Sequence, residues 1–267
     1  MPDADRATFA RESAWLADTL REAGAIACKL FRTDLKHWTK GASSPVSEAD
    51  IAVNDLIRAK LREAFPDDGW LSEESEADDS RLNQRRIWIV DPIDGTRAYI
   101  AGRDEWALSA ALVVDGRPVV GAVFAPVYDD FFAASAGAGA TLNGAAIRVS
   151  QRAALEGAEI AGSRRLLEEA GLGASGARLT PRAGSLALRL ARVAQGAMDA
   201  TIVSPNSHDW DLAAADLLVH EAGGVMSGLT SGKIVYNRPR LVHGLLVAAG
   251  EPVHADLLGH FRGRGWL

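Results

Sequence analysis

The chain has a single cysteine, no long apolar run and no excess of basic residues. Cys28 alone excludes an intramolecular disulfide and fits a reducing compartment; its expected role is filler on the buried face of a helix. No uninterrupted apolar stretch approaches the ~20 residues of a membrane span. The first residues include Asp3, Asp5, Arg6, Arg11 and Glu12 and lack the apolar segment of a secretory signal, so a soluble, cytoplasmic protein is expected. A formal charge of −6 argues against a protein that tracks nucleic-acid backbones, which would carry a basic stripe. It leaves room for a small anionic substrate, because bound cations can reverse the local field.

With 48% apolar and 24% charged residues, the composition is that of a soluble globular protein. At 267 residues a single core is near the size at which it divides, so one large domain or two lobes are both open. Phe9, Leu16, Leu20, Ala23, Ala27 and Leu30 recur at helical spacing and predict a first amphipathic helix. Thr39 to Ser44 reads as a mobile loop. A second helix follows Pro45-Val46-Ser47, with Val53, Leu56, Ile57 and Leu61 inward and Pro66 as its stop. Trp70 to Ser75 reads as a short strand entering an acidic loop, and Glu76 to Arg81 as a charged surface excursion. Ala107–Val114 and Pro118–Phe124 flank Asp115-Gly116, a hairpin signal, and Phe131–Ala134 and Ala140–Leu142 continue a meander. After about Gln151, strands at 159–162, 199–203 and 245–249 alternate with helices at 183–195, 209–222 and 253–261. The expected fold class is therefore α/β, with an α+β N-terminal lobe (1–150) built on an antiparallel sheet and an α/β C-terminal lobe (151–267).

Ile87-Trp88-Ile89-Val90 is too short and β-branched for a helix and predicts a strand buried on both faces. It runs into Asp91-Pro92-Ile93-Asp94-Gly95-Thr96. Pro92 bars a regular ladder, so a sharp turn is expected there, aiming both carboxylates and the Ile93 carbonyl into one pocket. Converging hard oxygens suit Mg²⁺. Gly95 permits close backbone approach, and Thr96 opens a helix whose N–H groups can take an anion. An Asp-rich turn of no further purpose uses the same residues. Glu73 and Glu74 end a strand-like segment, where one carboxylate would point inward and its neighbour outward. Asp211 follows Trp210 at a helix start, where the N-terminus would hold it ionised. His208 is either a substrate contact or a packed histidine. Gly184-Ser185 is either an anion contact or a plain N-cap. Arg97 and Arg103 are either guanidinium partners of a second phosphate or solvated rim residues.

Pro45 to Asp50, Glu73-Glu74-Ser75, Trp88 to Thr96 and Trp210-Asp211-Leu212-Ala213-Ala214 together resemble the four signature blocks of the inositol monophosphatase superfamily, in order and at its usual spacing. The resemblance implies a five-layer αβαβα sandwich, usually dimeric, and a Mg²⁺-dependent, often lithium-sensitive phosphomonoesterase. It also implies two to three Mg²⁺ per site. Glu73, Asp91 and the Ile93 carbonyl would hold the first, and Asp91, Asp94 and Asp211 the second. Asp50 with the Thr96 hydroxyl would deprotonate the attacking water, Glu73 would support a third metal, and Gly95 and Thr96 N–H groups would hold the phosphate. Arg97, Gly184, Ser185 and His208 are the further expected substrate contacts.

Ser204 stands seven residues before Asp211, where inositol-specific enzymes generally carry Glu. Arg97 after Asp94-Gly95-Thr96, the Asp209-Trp210-Asp211 block and Tyr236-Asn237-Arg238-Pro239 resemble bacterial 3′(2′),5′-bisphosphate nucleotidases. The first expectation is therefore hydrolysis of adenosine 3′,5′-bisphosphate to AMP. Inositol-1-monophosphatase is the alternative, and a phosphatase-like binding scaffold is a reading of another class. The expected partner is a small phosphorylated metabolite, without nucleic-acid polymer or membrane, in a homodimer.

Overall fold

The computed structural model describes residues 9–40, 44–76, 78–181, 184–230 and 232–266. The first part of the chain gives α1 (Ala10–Leu30), β1 (His37–Lys40), β2 (Ser44–Ser47), α2 (Glu48–Ala64), β3 (Gly69–Ser72), β4 (Arg86–Asp94) and α3 (Thr96–Ile100). Strands β5 (Ala107–Val114), β6 (Arg117–Ala125), β7 (Asp130–Ser135), β8 (Gly139–Leu142) and β9 (Ala145–Ala146) follow. Then come β10 (Glu159–Gly162), α4 (Arg164–Glu169), β11 (Arg178–Pro181), α5 (Leu186–Ala194) and β12 (Ala200–Val203). The last elements are α6 (Asp209–Glu221), β13 (Gly224–Gly228), β14 (Leu246–Gly250) and α7 (Glu251–Gly263).

Two mixed sheets result. The larger has the order β3-β4-β5-β6-β7-β8-β9 and is parallel only where β3 meets β4. The smaller has the order β11-β10-β12-β14-β13, parallel at the first two junctions and antiparallel at the last two. Helices α1 and α2 cover one face of the larger sheet, α5 and α6 fill the space between the sheets, and α4 and α7 cover the outer face of the smaller. The layering is αβαβα, as the resemblance implies.

Strand β4 explains why its sequence is apolar without alternation. Trp88 and Val90 pack toward α1 and α2, while Ile87 and Ile89 pack toward α5 and α6. Both faces are core, so both parities must be apolar. Helix α6 is buried nearly all round and rich in small residues, Ala213, Ala214 and Ala215 among them. Its fit is close: a Cβ on Gly121 of β6 would meet the Ala214 Cα at 3.0 Å and its carbonyl oxygen at 3.1 Å.

Four expectations change. Thr39, Lys40 and Ser44 do not belong to a loop: β1 and β2 pair as an antiparallel ladder, Lys40 opposite Ser44, and residues 41–43 lie outside the described ones. Pro92 does not end β4. The chain absorbs it as a bulge inside the strand, which is where a sheet tolerates a missing donor. Cys28 is exposed, because it follows the buried Ala27 around the helix instead of sharing its face. Helix α4 and strands β11 and β13 form although they carry no periodic signal, being short and flanked by or containing glycines. Ala183, expected to open a helix, lies outside the described residues, and α5 begins at Leu186.

Gly121→Val is expected to lower unfolding free energy by about 1–3 kcal/mol, since backbone stands where the side chain would go. Gly259→Ala, on the exposed face of α7 with nothing within 4 Å of its would-be Cβ, should raise it by up to about 1 kcal/mol. Urea unfolding of the two variants checks both signs.

Candidate active site

The bulge in β4 is what assembles the site. Register against β5 passes from Asp91 opposite Ser109 to Asp94 opposite Ala107, so Pro92 and Ile93 together face Leu108. In an unbroken strand, residues three apart point to opposite faces. The extra residue resets the parity, and Asp91 and Asp94 turn to the same side. Gly95 then takes a left-handed φ of 94°, and a Cβ there would meet the Glu105 carbonyl oxygen at 3.0 Å and the Ser185 nitrogen at 3.1 Å. Conformation and crowding both demand glycine at that point.

Asp211 comes from the first turn of α6. One carboxylate oxygen from each of Asp91, Asp94 and Asp211 lies within 4.8 Å of the others. Each acid is held differently. Asp94 Oδ2 accepts from the Ser185 hydroxyl and the Ala187 N–H, both at 2.5 Å, at the positive end of α5. Asp211 Oδ2 accepts from the His208 N–H at 2.6 Å. Asp91 is 1% exposed, and its Oδ1 has no hydrogen-bond partner among the described residues. A buried carboxylate oxygen without a donor is costly unless a cation takes it. Hard oxygens so arranged fit a divalent metal.

The charges record the same crowding. Burial pushes Asp91 well above the usual carboxylate range, and Glu73, Asp94 and Asp211 push it further. Asp211 rises for the same reasons, burial first and then Asp94. Glu73 is raised to about 7, by burial and then by Glu74. Asp94 is raised by burial, with the Ser185 and Ala187 hydrogen bonds and the Arg189 charge opposing.

Thr96 lines the cavity on another side, and Asp50, 1% exposed, lies behind it outside the lining. Ser47 caps α2, and Asp50 Oδ2 accepts from the Ser47 N–H at 2.8 Å and its hydroxyl at 2.5 Å. The Thr96 hydroxyl lies 3.3 Å from Asp50 Oδ1 and 3.1 Å from the Ile93 carbonyl oxygen, with one proton to share between them. Burial lifts Asp50 to about 6 against the Ser47 hydrogen bonds.

The acid cluster and Thr96 open onto a cavity of about 600 Å³ whose lining includes Glu73, Asp91, Asp94, Gly95, Thr96 and Asp211, with Arg97, Arg103, Glu105, Gly184, Arg189 and Ser204–Ser207. Several expectations shift at this point. Glu74 does not point outward: its side chain is 2% exposed and pairs with Lys40 at 2.7 Å, while Lys40 also donates to the Glu73 carbonyl at 2.9 Å. Ser185, expected at the substrate, has no exposed surface; its hydroxyl caps α5 and holds Asp94. His208 is outside the cavity lining. Its ring stacks on Trp210 at 4.6 Å, and its backbone rather than its side chain holds Asp211 at hydrogen-bond distance. Arg164 and Arg165 are exposed at the start of α4 and pair with Glu168 and Glu169. Tyr236 and Asn237 face Asp216 and Asp209, not the cavity.

Two residues escaped sequence reasoning. Lys40 lay in the supposed loop. Arg189 is 4% exposed in the cavity wall. Its spacing from Leu186 and Val193 puts it on their face of α5, and a charge on an apolar stripe was the available signal.

A carboxylate cluster of this kind in the wall of a polar cavity fits a site for divalent metal and an anionic substrate. Residues 12–262 match the inositol monophosphatase family. The chain is 36% identical over 235 residues to an inositol-1-monophosphatase of Mesorhizobium japonicum, covering 82% of this chain and 83% of that one. It is 32% identical over 252 residues to the Nus factor SuhB of Pasteurella multocida, covering 85% and 91%. Among solved structures, the extragenic suppressor protein SuhB of Bartonella henselae superposes with a TM-score of 0.82 at 29% identity, over 93% of this chain and 97% of that one. The chain belongs to the inositol monophosphatase family and is a phosphatase of that family, whose members take divalent metal ions. The likeness to bisphosphate nucleotidases, expected from Arg97 and the region after Asp209, gives way to relatives named SuhB and inositol monophosphatase.

Because cation binding requires these acids deprotonated, protons compete with the metal as pH falls through the raised values, Glu73's being about 7. The rise in Tm produced by added Mg²⁺ should therefore be large near pH ~8 and largely lost by about pH 5.5. Thermal shift with and without Mg²⁺ across that range checks the sign; a Mg²⁺ effect that grows on acidification would refute it.

Proposed function

We propose that the protein is a Mg²⁺-dependent phosphomonoesterase of a small phosphorylated polyol, with inositol 1-phosphate as its best-supported substrate. The observation that carries the chemistry is the triad Asp91, Asp94 and Asp211, with one oxygen of each within 4.8 Å of the others and Asp91 Oδ1 lacking a hydrogen-bond donor among the described residues. Glu73, Asp91, the Ile93 carbonyl, Asp94 and Asp211 would hold the metal, two to three ions per site. On this reading residues 1–150 supply most of the ligands, and residues 151–267 supply Asp211 and the substrate end.

Bound metal supplies charge neutralisation for the phosphoryl group and a lowered pKa for water. The chain's own residues do the rest. Asp50, reached through the Thr96 hydroxyl, accepts the proton of the attacking water; its value of about 6 suits a base working near neutrality. Gly95 and Thr96 N–H groups orient the phosphate. Arg189 and the positive end of α5 fix Asp94. With a loose transition state, positioning and charge neutralisation carry most of the acceleration, and no phospho-enzyme is needed.

Identity to an inositol-1-monophosphatase supports the polyol substrate. Arg97 and Arg103 in the cavity wall favour a second reading, adenosine 3′,5′-bisphosphate, whose extra phosphate they would meet. Phosphate release from the two compounds side by side decides between them, with inositol 1-phosphate expected to have the higher kcat/KM. The enzyme is expected to act as a homodimer in the cytoplasm, and a role as binding scaffold is the remaining reading of another class.

Asp91→Asn should lower kcat by at least ~10³-fold on either substrate, because it removes a charge shared by the whole cluster. A steady-state phosphate assay at saturating Mg²⁺ measures this. Activity within tenfold of the parent would remove Asp91 from the mechanism, whereas scaffold binding would be indifferent to the change.

A further inference from the structure

A second buried polar cluster lies behind the catalytic acids. Asp209, the first residue of α6, is 1% exposed, and the side chain of His243 is 4% exposed. Their contact, His243 Nε2 to Asp209 Oδ1, is 2.6 Å long. A carboxylate only accepts, so Nε2 carries the proton. Asp209 Oδ2 accepts from the Asn237 N–H at 2.7 Å.

Backbone bonds around this contact stitch two segments together. The Asp209 N–H donates to the Leu241 carbonyl at 3.1 Å, the His243 N–H to the Ser207 carbonyl at 2.8 Å, and the Asn206 N–H to the His243 carbonyl at 2.9 Å. His208 and Val242 form an isolated antiparallel bridge. Segment 236–243 therefore runs as a strap along the Asn206–Ser207 turn and the start of α6. Its far end is tied to the 3₁₀ turn Asp79–Asn83: Arg81, 4% exposed, donates to Asn237 Oδ1 at 2.7 Å and to the Arg238 carbonyl at 3.0 Å.

We propose, resting on the reading of Asp211 as a metal ligand, that Asp209 and His243 are a positioning pair that locks the strap against both the Asn206–Ser207 segment of the cavity lining and the first turn of α6. Two features give the pair this leverage. Asp209 is one turn position from His208, whose N–H holds Asp211, so the pair fixes the helix start that aims the ligand. His243 bonds through its backbone to Ser207 and Asn206, both in the cavity lining, so the same side chain fixes the substrate end. Buried partners that orient metal ligands typically change metal affinity 10–100-fold when removed.

The test compares His243→Leu, His243→Gln and the double variant Asp209→Leu/His243→Leu. Gln keeps a donor near the Nε2 position, Leu removes it, and the double variant leaves no unpaired carboxylate behind. Mg²⁺ binding is followed by calorimetry, and KM and kcat for inositol 1-phosphate at saturating Mg²⁺, all below each variant's Tm. Removal of the pair should weaken Mg²⁺ about tenfold or more and raise KM by a similar factor, with kcat within about threefold. His243→Gln should recover most of both. If His243→Leu does not fold, the double variant carries the measurement. Parent protein that binds no Mg²⁺ overturns the metal reading and the pair with it. Parent that binds Mg²⁺, with Leu variants that bind it equally and keep KM, overturns the pair alone. A Gln variant as impaired as Leu does the same.

Discussion

Repulsion among buried carboxylates is the constraint on which the structure depends. At the 4.8 Å limit separating the oxygens of Asp91, Asp94 and Asp211, two full charges in an effective dielectric of about 20 repel by roughly 3–4 kcal/mol. Three such pairs approach the ~5–15 kcal/mol that holds an ordinary domain folded. The acids are therefore hard to ionise together without a cation: burial first, and then the neighbouring carboxylates, displace Asp91 and Asp211 upward. Protons relieve the repulsion when metal is absent, and a divalent ion relieves it better.

Holding like charges this close requires an enclosing frame that does not yield. The frame is the α5–α6 layer, packed between two sheets, with Ala213, Ala214 and Ala215 letting α6 approach β6 near Gly121. Each helix also points its N-terminus at an acid. The start of α5 meets Asp94 through Ala187 N–H and the Ser185 cap, and the start of α6 meets Asp211 through His208 N–H. Partial positive charge at both ends offsets part of the repulsion without adding a mobile side chain. On the remaining side, the cap of α2 does the same for Asp50 through Ser47.

Periodicity made the frame legible. The stripe of α1, the apolar run of β4 and the hairpin at Asp115-Gly116 all stand where their local chemistry puts them. Elements decided by tertiary contact were not legible. Strand β1 exists because β2 pairs with it, and β13 because β14 does, while their own sequences are polar or glycine-rich. Pro92 misled for a related reason: a proline without partners ends a strand, but one set in a bulge beside β5 does not. In the site, acids near turn and helix-start signals could be found from residue order alone. Groups that act through distant partners could not. Ser185 looks like a substrate contact until Asp94 is seen beside it. Lys40 and Arg189 gain meaning only when Glu74 and Asp94 are known to be buried near them.

The bulge and the helix starts are two solutions to one geometrical problem. Strand parity would send Asp91 and Asp94 apart, and no regular element returns both to a single point. One inserted residue in β4 corrects the parity, after which Gly95 reverses the chain before Asp94 is carried away from the cavity. Asp211 arrives from another element entirely, since on the β5 side the residues facing the bulge and the end of β4, Leu108 and Ala107, are core. A helix entering end-on between the sheets is the element that can deliver a carboxylate to that point with its own N–H groups already facing it. The layer order of the fold thus follows from the need to bring a third acid to a site that one strand cannot complete.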